Sequence, residues 1–105
     1  MELSIRWTNF AKSELRYIFD YYIENTTQKV AKSIVNGIAR ETLLLKKYPR
    51  IGQIEELLKG RPQEFRYLVF KNYKIIYWVD DYSSAVEIVD VFDTRQNPMK
   101  METVE

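Results

Sequence analysis

The feature that most constrains the fold is a set of three strand-like runs in the second half of the chain, each separated from the next by a short polar turn. Apolar and aromatic residues dominate these runs, which cover residues 65–70, 73–79 and 85–92. Lys71 and Asn72 fit a tight hairpin turn, and the segment Asp-Asp-Tyr-Ser-Ser that follows the second run fits a looser one. The pattern predicts a three-stranded antiparallel meander.

The first half of the chain predicts one strand followed by two helices. Leu3, Ile5 and Trp7 alternate with polar residues, which is the period of a half-buried strand. Thr8 is placed to cap the first helix, and Thr26 or Thr27 to cap the second. The expected apolar stripes are Ala11, Leu15, Ile18 and Tyr22 in the first helix, and Val30, Ala31, Ile34, Ile38 and Leu45 in the second. The two helices should form an antiparallel hairpin.

Residues 49–63 contain two prolines and two glycines and predict an irregular connection anchored by Leu57 and Leu58. The order of elements is then strand, two helices, three strands, which predicts an α+β fold with the helix hairpin over one face of the sheet. The other face is expected to stay partly open. In the middle strand of the meander, alternation predicts one face with Tyr73, Ile75, Tyr77 and Val79 and an opposite face with Lys74, Ile76 and Trp78.

The chain of 105 residues has no cysteine and no histidine. These absences exclude disulfides, thiolate nucleophiles, histidine-dependent triads and the usual zinc sites, so we expect no metal and no cofactor. The longest apolar run, Ile75 to Val79, is too short to cross a bilayer, and the N-terminus lacks the layout of a signal peptide. We therefore expect a cytoplasmic protein without a membrane partner.

Charge is unevenly distributed along the chain. Residues 46–79 hold eight Lys or Arg and three Asp or Glu, a net charge of +5, whereas residues 80–105 hold two and seven, a net charge of −5. A basic segment of this size suits phosphates or the acidic part of a protein partner. The alternative is that the basic and acidic segments simply neutralise each other.

A dense polar cluster, Asp-Thr-Arg-Gln-Asn-Pro, follows the last strand-like run without a glycine. Asp90 and Asp93 lie three residues apart on an extended chain, so they should face opposite sides and not form a metal site. Asp93 and Thr94 are expected to bond to nearby backbone. Arg95 has two alternatives, pairing with Asp93 or projecting onto the open face toward an anion, and we favour the second.

Four motifs occur in order along the chain: W…A…L…I..Y, then YP..G, then FRYLVFKNYKIIYWV, and finally VEIVDVFDTRQNP. Together they resemble the RelE/ParE superfamily of bacterial type II toxins, and the resemblance runs from Ile5 to Pro98. Its most specific part is the stretch from Arg66 to Tyr77, with Arg95 near a proline after the last strand. The resemblance implies one toxin domain over residues 1–98 and a short C-terminal tail over residues 99–105.

The resemblance implies a bacterial growth inhibitor, of the kind associated with plasmid stabilisation, that is silenced by a cognate antitoxin usually encoded beside it. Some members cut messenger RNA at the ribosome, and others poison DNA gyrase. The basic residues of the family match Arg66, Lys74 and Arg95 here, and these three are expected to surround the open face of the sheet as catalytic residues if the protein is a ribonuclease. The expected binding residues are Arg61, Lys71 and Tyr73.

Chemistry separates the two activities. RNA cleavage without metal needs a base, an acid and cations that stabilise the phosphorane-like transition state. Arg66, Lys74 and Arg95 are suited to the cationic role. Arginine stays protonated and cannot act as a normal base, whereas Lys74 can do so only if burial or neighbouring cations lower its pKa. Glu64, beside Arg66, is a candidate base or a solvated turn residue. Leu68 stands where the best-equipped ribonucleases carry a second cation.

The sequence also lacks a histidine, and the tail after Pro98 has no tyrosine to act as an acid or base. We therefore favour a ParE-like gyrase poison. A ribosome-dependent messenger RNA interferase and a degenerate member that only binds its antitoxin are the alternatives. The antitoxin should lay a helix or an extended segment on exposed apolar surface and place acidic groups against the basic middle third. The oligomeric state is open, a homodimer included.

Overall fold

A computed structural model describes residues 2–97 and shows two helices packed on one face of a five-stranded mixed sheet. The strands are β1 (Ser4–Trp7), β2 (Gln53–Ile54), β3 (Arg66–Phe70), β4 (Tyr73–Asp80) and β5 (Ala85–Asp93), and the helices are α1 (Asn9–Asn25) and α2 (Gln28–Thr42). Short 3₁₀ turns lie at Leu43–Lys46 and Glu56–Leu58. The predicted α+β class, the helix hairpin and the antiparallel meander are confirmed.

The sheet has the strand order β1-β5-β4-β3-β2, so the last strand of the chain lies near the middle of the sheet. β1 pairs with β5 in parallel, with Trp7 opposite Ile88, and the other neighbouring strands are antiparallel. A bulge in the β4–β5 pair lies between Ile76 and Tyr77. Its effect is to shift the register of β5 just before Asp90.

Both helices begin at the caps that the sequence provides. The Thr8 hydroxyl accepts a hydrogen bond from the Ala11 N–H at 3.0 Å, and Thr27, not Thr26, caps α2 by accepting one from the Val30 N–H at 3.2 Å. The predicted stripe of α1 lies in the core. The stripe of α2 is also confirmed except for Val30, which is exposed in the first turn. Leu45 is buried too, but it belongs to the 3₁₀ turn that follows α2.

The two faces of the sheet differ in their cover. The helix-covered face, which carries Tyr73, Ile75 and Tyr77, packs against α1 and α2 in the main core. The open face carries Lys74, Ile76 and Trp78, as alternation predicts. A smaller cluster on this face includes Ile76, Phe92, Val89, Leu58 and Phe65, so the connection before β3 covers part of it.

The connection between α2 and β3 is more ordered than its prolines and glycines suggest. β2 pairs with the start of β3, and the Glu55 N–H donates to the Phe65 carbonyl at 2.9 Å. Leu58 is buried as predicted, whereas Leu57 is exposed and anchors nothing in the core. In the β3–β4 hairpin, Lys71 adopts a positive φ of 53°, which agrees with the tight turn predicted there.

The predicted tail, residues 99–105, and Pro98 lie outside the described residues. Within residues 2–97, neither helix combines the length and apolar character needed to cross a bilayer. The same part of the chain has no group of three or more acidic, histidine or cysteine side chains placed to hold a metal ion.

Candidate functional site

Arg66 lies at the start of β3 and does not point toward the open face. Its strand partner is Tyr77, and opposite residues in an antiparallel pair share a face, so Arg66 belongs to the helix-covered side. Its guanidinium donates to the Gly52 carbonyl at 2.8 Å, the Arg50 carbonyl at 3.2 Å and the Glu64 carboxylate at 3.0 Å. The prediction that Arg66 lines the open face is wrong, because Leu68 and Phe70, two and four residues on, fix this side of β3 against the core.

Gly52 is bound from two sides. Its N–H donates to the buried Tyr77 hydroxyl at 3.0 Å, while its carbonyl accepts from Arg66. A Cβ at this position would lie 2.6 Å from the Tyr77 oxygen and 2.7 Å from the Tyr67 carbonyl, so only glycine fits. Burial raises the pKa of the Tyr77 hydroxyl. The segment before β2 is therefore held against the sheet by the hydrogen bonds of Gly52 to Tyr77 and Arg66.

Lys74 does lie on the open face, in a local pair that the sequence did not reveal. Its ammonium is 2.8 Å from the Glu55 carboxylate and 4.2 Å from the centre of the Tyr67 ring. Glu55 is 3% exposed, and its other oxygen accepts from the Leu57 N–H at 3.3 Å. Lys74 thus neutralises a buried carboxylate, which would be costly to leave alone.

Arg95 binds the acid two residues before it. Its Nη2 lies 2.8 Å and its Nε 3.0 Å from the two oxygens of the Asp93 carboxylate. This pair, with a further bond from the Asn72 amide, lowers the pKa of Asp93 to about 2. Arg95 therefore follows the pairing alternative, and the prediction that it projects onto the open face is wrong. The Thr94 hydroxyl bonds to the Asn72 carbonyl at 2.8 Å, as expected for turn chemistry.

The three candidate catalytic cations are thus not brought together. Arg66 faces the helix side near β2, Lys74 faces the open side, and Arg95 lies past the end of β5. Each is held by a carboxylate of its own. Glu64, the candidate base, is the exposed partner of Arg66.

The three expected binding residues also lie apart. Tyr73 is 2% exposed, and its hydroxyl is 3.4 Å from that of Tyr22; burial, first of all, raises its pKa. Lys71 is exposed at the hairpin turn, with its ammonium 5.7 Å from the centre of the Phe70 ring. Arg61 is half-buried and lines a small cavity in the connection before β3. Their roles in binding stay predictions.

Two buried carboxyl groups were not predicted as notable. Glu55 gives no signal in the sequence, because it lies in an irregular segment. Asp90 does give one, as an acid flanked on both sides by apolar residues, Ile88-Val89 and Val91-Phe92, and it is 3% exposed. Its Oδ1 has no hydrogen-bond partner among the described residues. Burial, and to a lesser degree the charge of Glu14, raise the pKa of Asp90 to about 7.

A helix hairpin packed on one face of a five-stranded mixed sheet is the fold of RelE/ParE-type toxins. The chain is similar to a structure of the chromosomal ParDE toxin–antitoxin system of P. aeruginosa, with 19% identity over 88% of this chain and 96% of that chain, at a TM-score of 0.72. It is also similar to the isolated RelE toxin of E. coli, with 16% identity over 96% and 94% of the two chains and a TM-score of 0.59. The toxin–antitoxin complex RelBE2 of Mycobacterium tuberculosis gives 18% identity, 89% and 99% coverage and a TM-score of 0.55.

The family assignment comes from sequence. Residues 5–98 match the family model described as the ParE toxin of the type II toxin–antitoxin system parDE. The chain belongs to the ParE toxin family. No curated protein matches the chain.

Proposed function

We propose that this ParE family member inhibits growth by binding a large target, with DNA gyrase favoured, and carries out no chemistry of its own. The observation that supports this proposal is the separation of Arg66, Lys74 and Arg95, each engaged by its own carboxylate. Metal-independent RNA cleavage needs cations and an acid–base pair that converge on one phosphate. Recognition of a protein target has no such requirement.

We also propose that a cognate antitoxin, encoded beside this chain, silences it by direct binding. Family membership supports this proposal, since the family is defined by a toxin–antitoxin system. Co-purification with the product of the neighbouring gene, together with restored growth, is the expected result. Failure of both would contradict the pairing.

A ribosome-dependent messenger RNA interferase is the second candidate. Lys74 and the half-buried Tyr67 ring on the open face support it, because a cation beside an aromatic ring suits a phosphate and a stacked base. The double variant Lys74→Met, Glu55→Gln removes the cation without leaving a buried charge. This double variant should stay toxic if the protein poisons gyrase, and should lose toxicity if the protein is an interferase. Lys59→Ala, which removes an exposed lysine from a separate pair, is the matched control.

The deciding experiment is to induce the chain without its antitoxin and to follow DNA and protein synthesis in parallel. Early loss of DNA synthesis with a damage response is the expected result. Early loss of protein synthesis, with messages cut inside codons, would refute the gyrase proposal in favour of the interferase. Unchanged growth would refute both and leave a member that only binds its antitoxin.

A further inference from the structure

The outer sides of α1 and α2 form an apolar groove that the core does not fill. Its walls are Leu15 and Phe19 of α1, Val35 and Ala39 of α2, and Trp7 at the end of β1, and its volume is about 420 Å³. All five side chains are half-buried. Phe19 and Val35 lie outside the two core clusters, so their apolar surface contributes little to holding the helices on the sheet. The groove therefore offers an apolar surface of the kind that protein interaction sites use.

The shape of the groove suits one further α-helix. Along α1 its lining runs from Lys12 to Phe19, which at the rise of a helix is about 10 Å, or roughly two turns. Two neighbouring helices leave a groove into which the side-chain ridges of a third helix can pack, and the small side chain of Ala39 allows a close approach. A helix that docks in this way presents apolar side chains three or four residues apart on one face. The geometry therefore favours an amphipathic helix as the occupant.

The rim of the groove is basic. Lys12 and Arg16 lie along its α1 side. Lys32 is exposed and lies on the same side of α2 as the wall residues of that helix, which follow it at spacings of three and four residues. Arg16 pairs with Asp20, whereas Lys12 and Lys32 have no acidic partner within ion-pair distance among residues 2–97. The unbalanced charge at the groove is therefore positive.

Charge decides between the possible occupants. In a twofold contact between two copies of the chain, the same surface meets itself, so the free lysines of the two rims would face each other without a counter-charge. A partner with carboxylates beside its apolar side chains instead neutralises Lys12 and Lys32. The basic middle third offers such acids less, because four of its cations already have an acidic partner within the chain, namely Arg50, Lys59, Arg66 and Lys74.

We propose that this groove docks an amphipathic helix of the antitoxin, with apolar side chains inserted between Phe19 and Val35 and acidic side chains placed against Lys12 and Lys32. Burial of the apolar surfaces supplies the affinity, and the charges set the orientation of the helix and speed its association. This inference rests on the proposed pairing with an antitoxin. It places the acidic contact on the helix side of the molecule, and not at the middle third, where charge counting along the chain predicts it.

The test measures the affinity of the full-length chain for the product of the neighbouring gene. Ala39→Trp, which fills the groove, and the double variant Lys12→Glu, Lys32→Glu, which reverses the charge of its rim, should each weaken the complex about tenfold or more. The loss in the double variant should shrink as salt is added. Tyr17→Ala, at an exposed aromatic residue on another side of α1, and Lys59→Glu, at an exposed lysine before β3, are the matched controls and should keep wild-type affinity. Wild-type affinity in either groove variant, or equal losses in the controls, would overturn the inference.

A second measurement separates this inference from the pairing itself. If the wild-type chain does not bind the neighbouring product, the proposed antitoxin is wrong, and the groove is tested alone with two synthetic amphipathic helices, one of leucine and glutamate and one of leucine and lysine. Binding of the glutamate peptide that Ala39→Trp abolishes, without binding of the lysine peptide, supports an acidic helix as the occupant. Absence of such binding would overturn the inference, as would a homodimer of the chain that Ala39→Trp dissociates.

Discussion

Replacing Arg66 with alanine should destabilise the fold, whatever Arg66 does for toxicity. The guanidinium is 19% exposed and donates to the part-buried Gly52 carbonyl at 2.8 Å and to the Arg50 carbonyl at 3.2 Å. Loss of a charge-assisted bond that leaves a carbonyl unpaired costs about 1.5–3 kcal/mol. The pair with Glu64, which is 62% exposed, adds at most about 1 kcal/mol. We expect Arg66→Ala to lower the free energy of unfolding by about 2–3 kcal/mol.

Urea unfolding of the purified chain measures this loss. With a slope of about 1–3 kcal/mol per M, the midpoint should fall by about 1–2 M at unchanged slope. Arg66→Lys, which keeps the charge but not the fork that reaches both carbonyls, should lose about half as much. Arg16→Ala is the control, because its pair with Asp20 is exposed and worth about 0.5 kcal/mol or less. A midpoint for Arg66→Ala equal to that of Arg16→Ala would refute the role of Arg66 in fastening residues 50–52.

This result decides how toxicity assays of Arg66 variants are interpreted. If Arg66→Ala abolishes toxicity and also lowers stability, the loss does not indicate catalysis. A glutamate partner offers the matched test, since Glu64→Gln removes the charge of the exposed partner and leaves both carbonyl bonds in place. We expect Glu64→Gln to keep both stability and toxicity. If Glu64 were a catalytic base, the same change would abolish toxicity.

Three further predictions concern other buried groups. Burial raises the pKa of Asp90 to about 7, so its contribution to stability is full below its ordinary pKa of 3.8 and is lost as the pH rises through 7. Asp90→Asn should therefore be nearly as stable as wild type at pH 4 and more stable at pH 8, by on the order of 4 kcal/mol. A pH-independent difference in unfolding free energy would contradict this. Gly37→Ala should lower the free energy of unfolding by about 1–3 kcal/mol, because a Cβ would lie 2.6 Å from Cε1 of Phe70. An unchanged Tm would show that the ring moves freely. Lys74→Met alone should lower the free energy of unfolding by about 3–5 kcal/mol, because it leaves the buried Glu55 carboxylate without its cation, and adding Glu55→Gln should recover most of this loss. Equal stability of the single and double variants would count against this pair.

Local patterns in the sequence predict most of the fold. Thr8 and the stripe from Ala11 to Tyr22 define α1, because a cap and a helical spacing act within one element. β2 was not predicted, since two residues become a strand only when β3 lies beside them. Val30 fits the stripe of α2 but lies in its first turn, where it is exposed.

The candidate site was predicted less well, for two different reasons. The face on which Arg66 lies could have been predicted from strand alternation, because Arg66, Leu68 and Phe70 are two residues apart and share one face of β3. The prediction that Arg66 lines the open face overlooked this. The partner of Lys74 was not available, because Glu55 reaches it through an irregular segment whose path depends on tertiary contacts. Local propensity fixes elements, whereas ion pairs between distant segments follow from their packing.

The position of β5 has a consequence for the newly made chain on the ribosome. Synthesis runs from the N-terminus, so β1, both helices and the first two strands of the meander emerge before the strand that joins β1 to them. Until residues 85–93 are released, β1 has no strand neighbour and the helix-covered core lacks Val86, Ile88 and Val91. A nascent or prematurely terminated chain that lacks residues 85–93 therefore cannot complete the sheet.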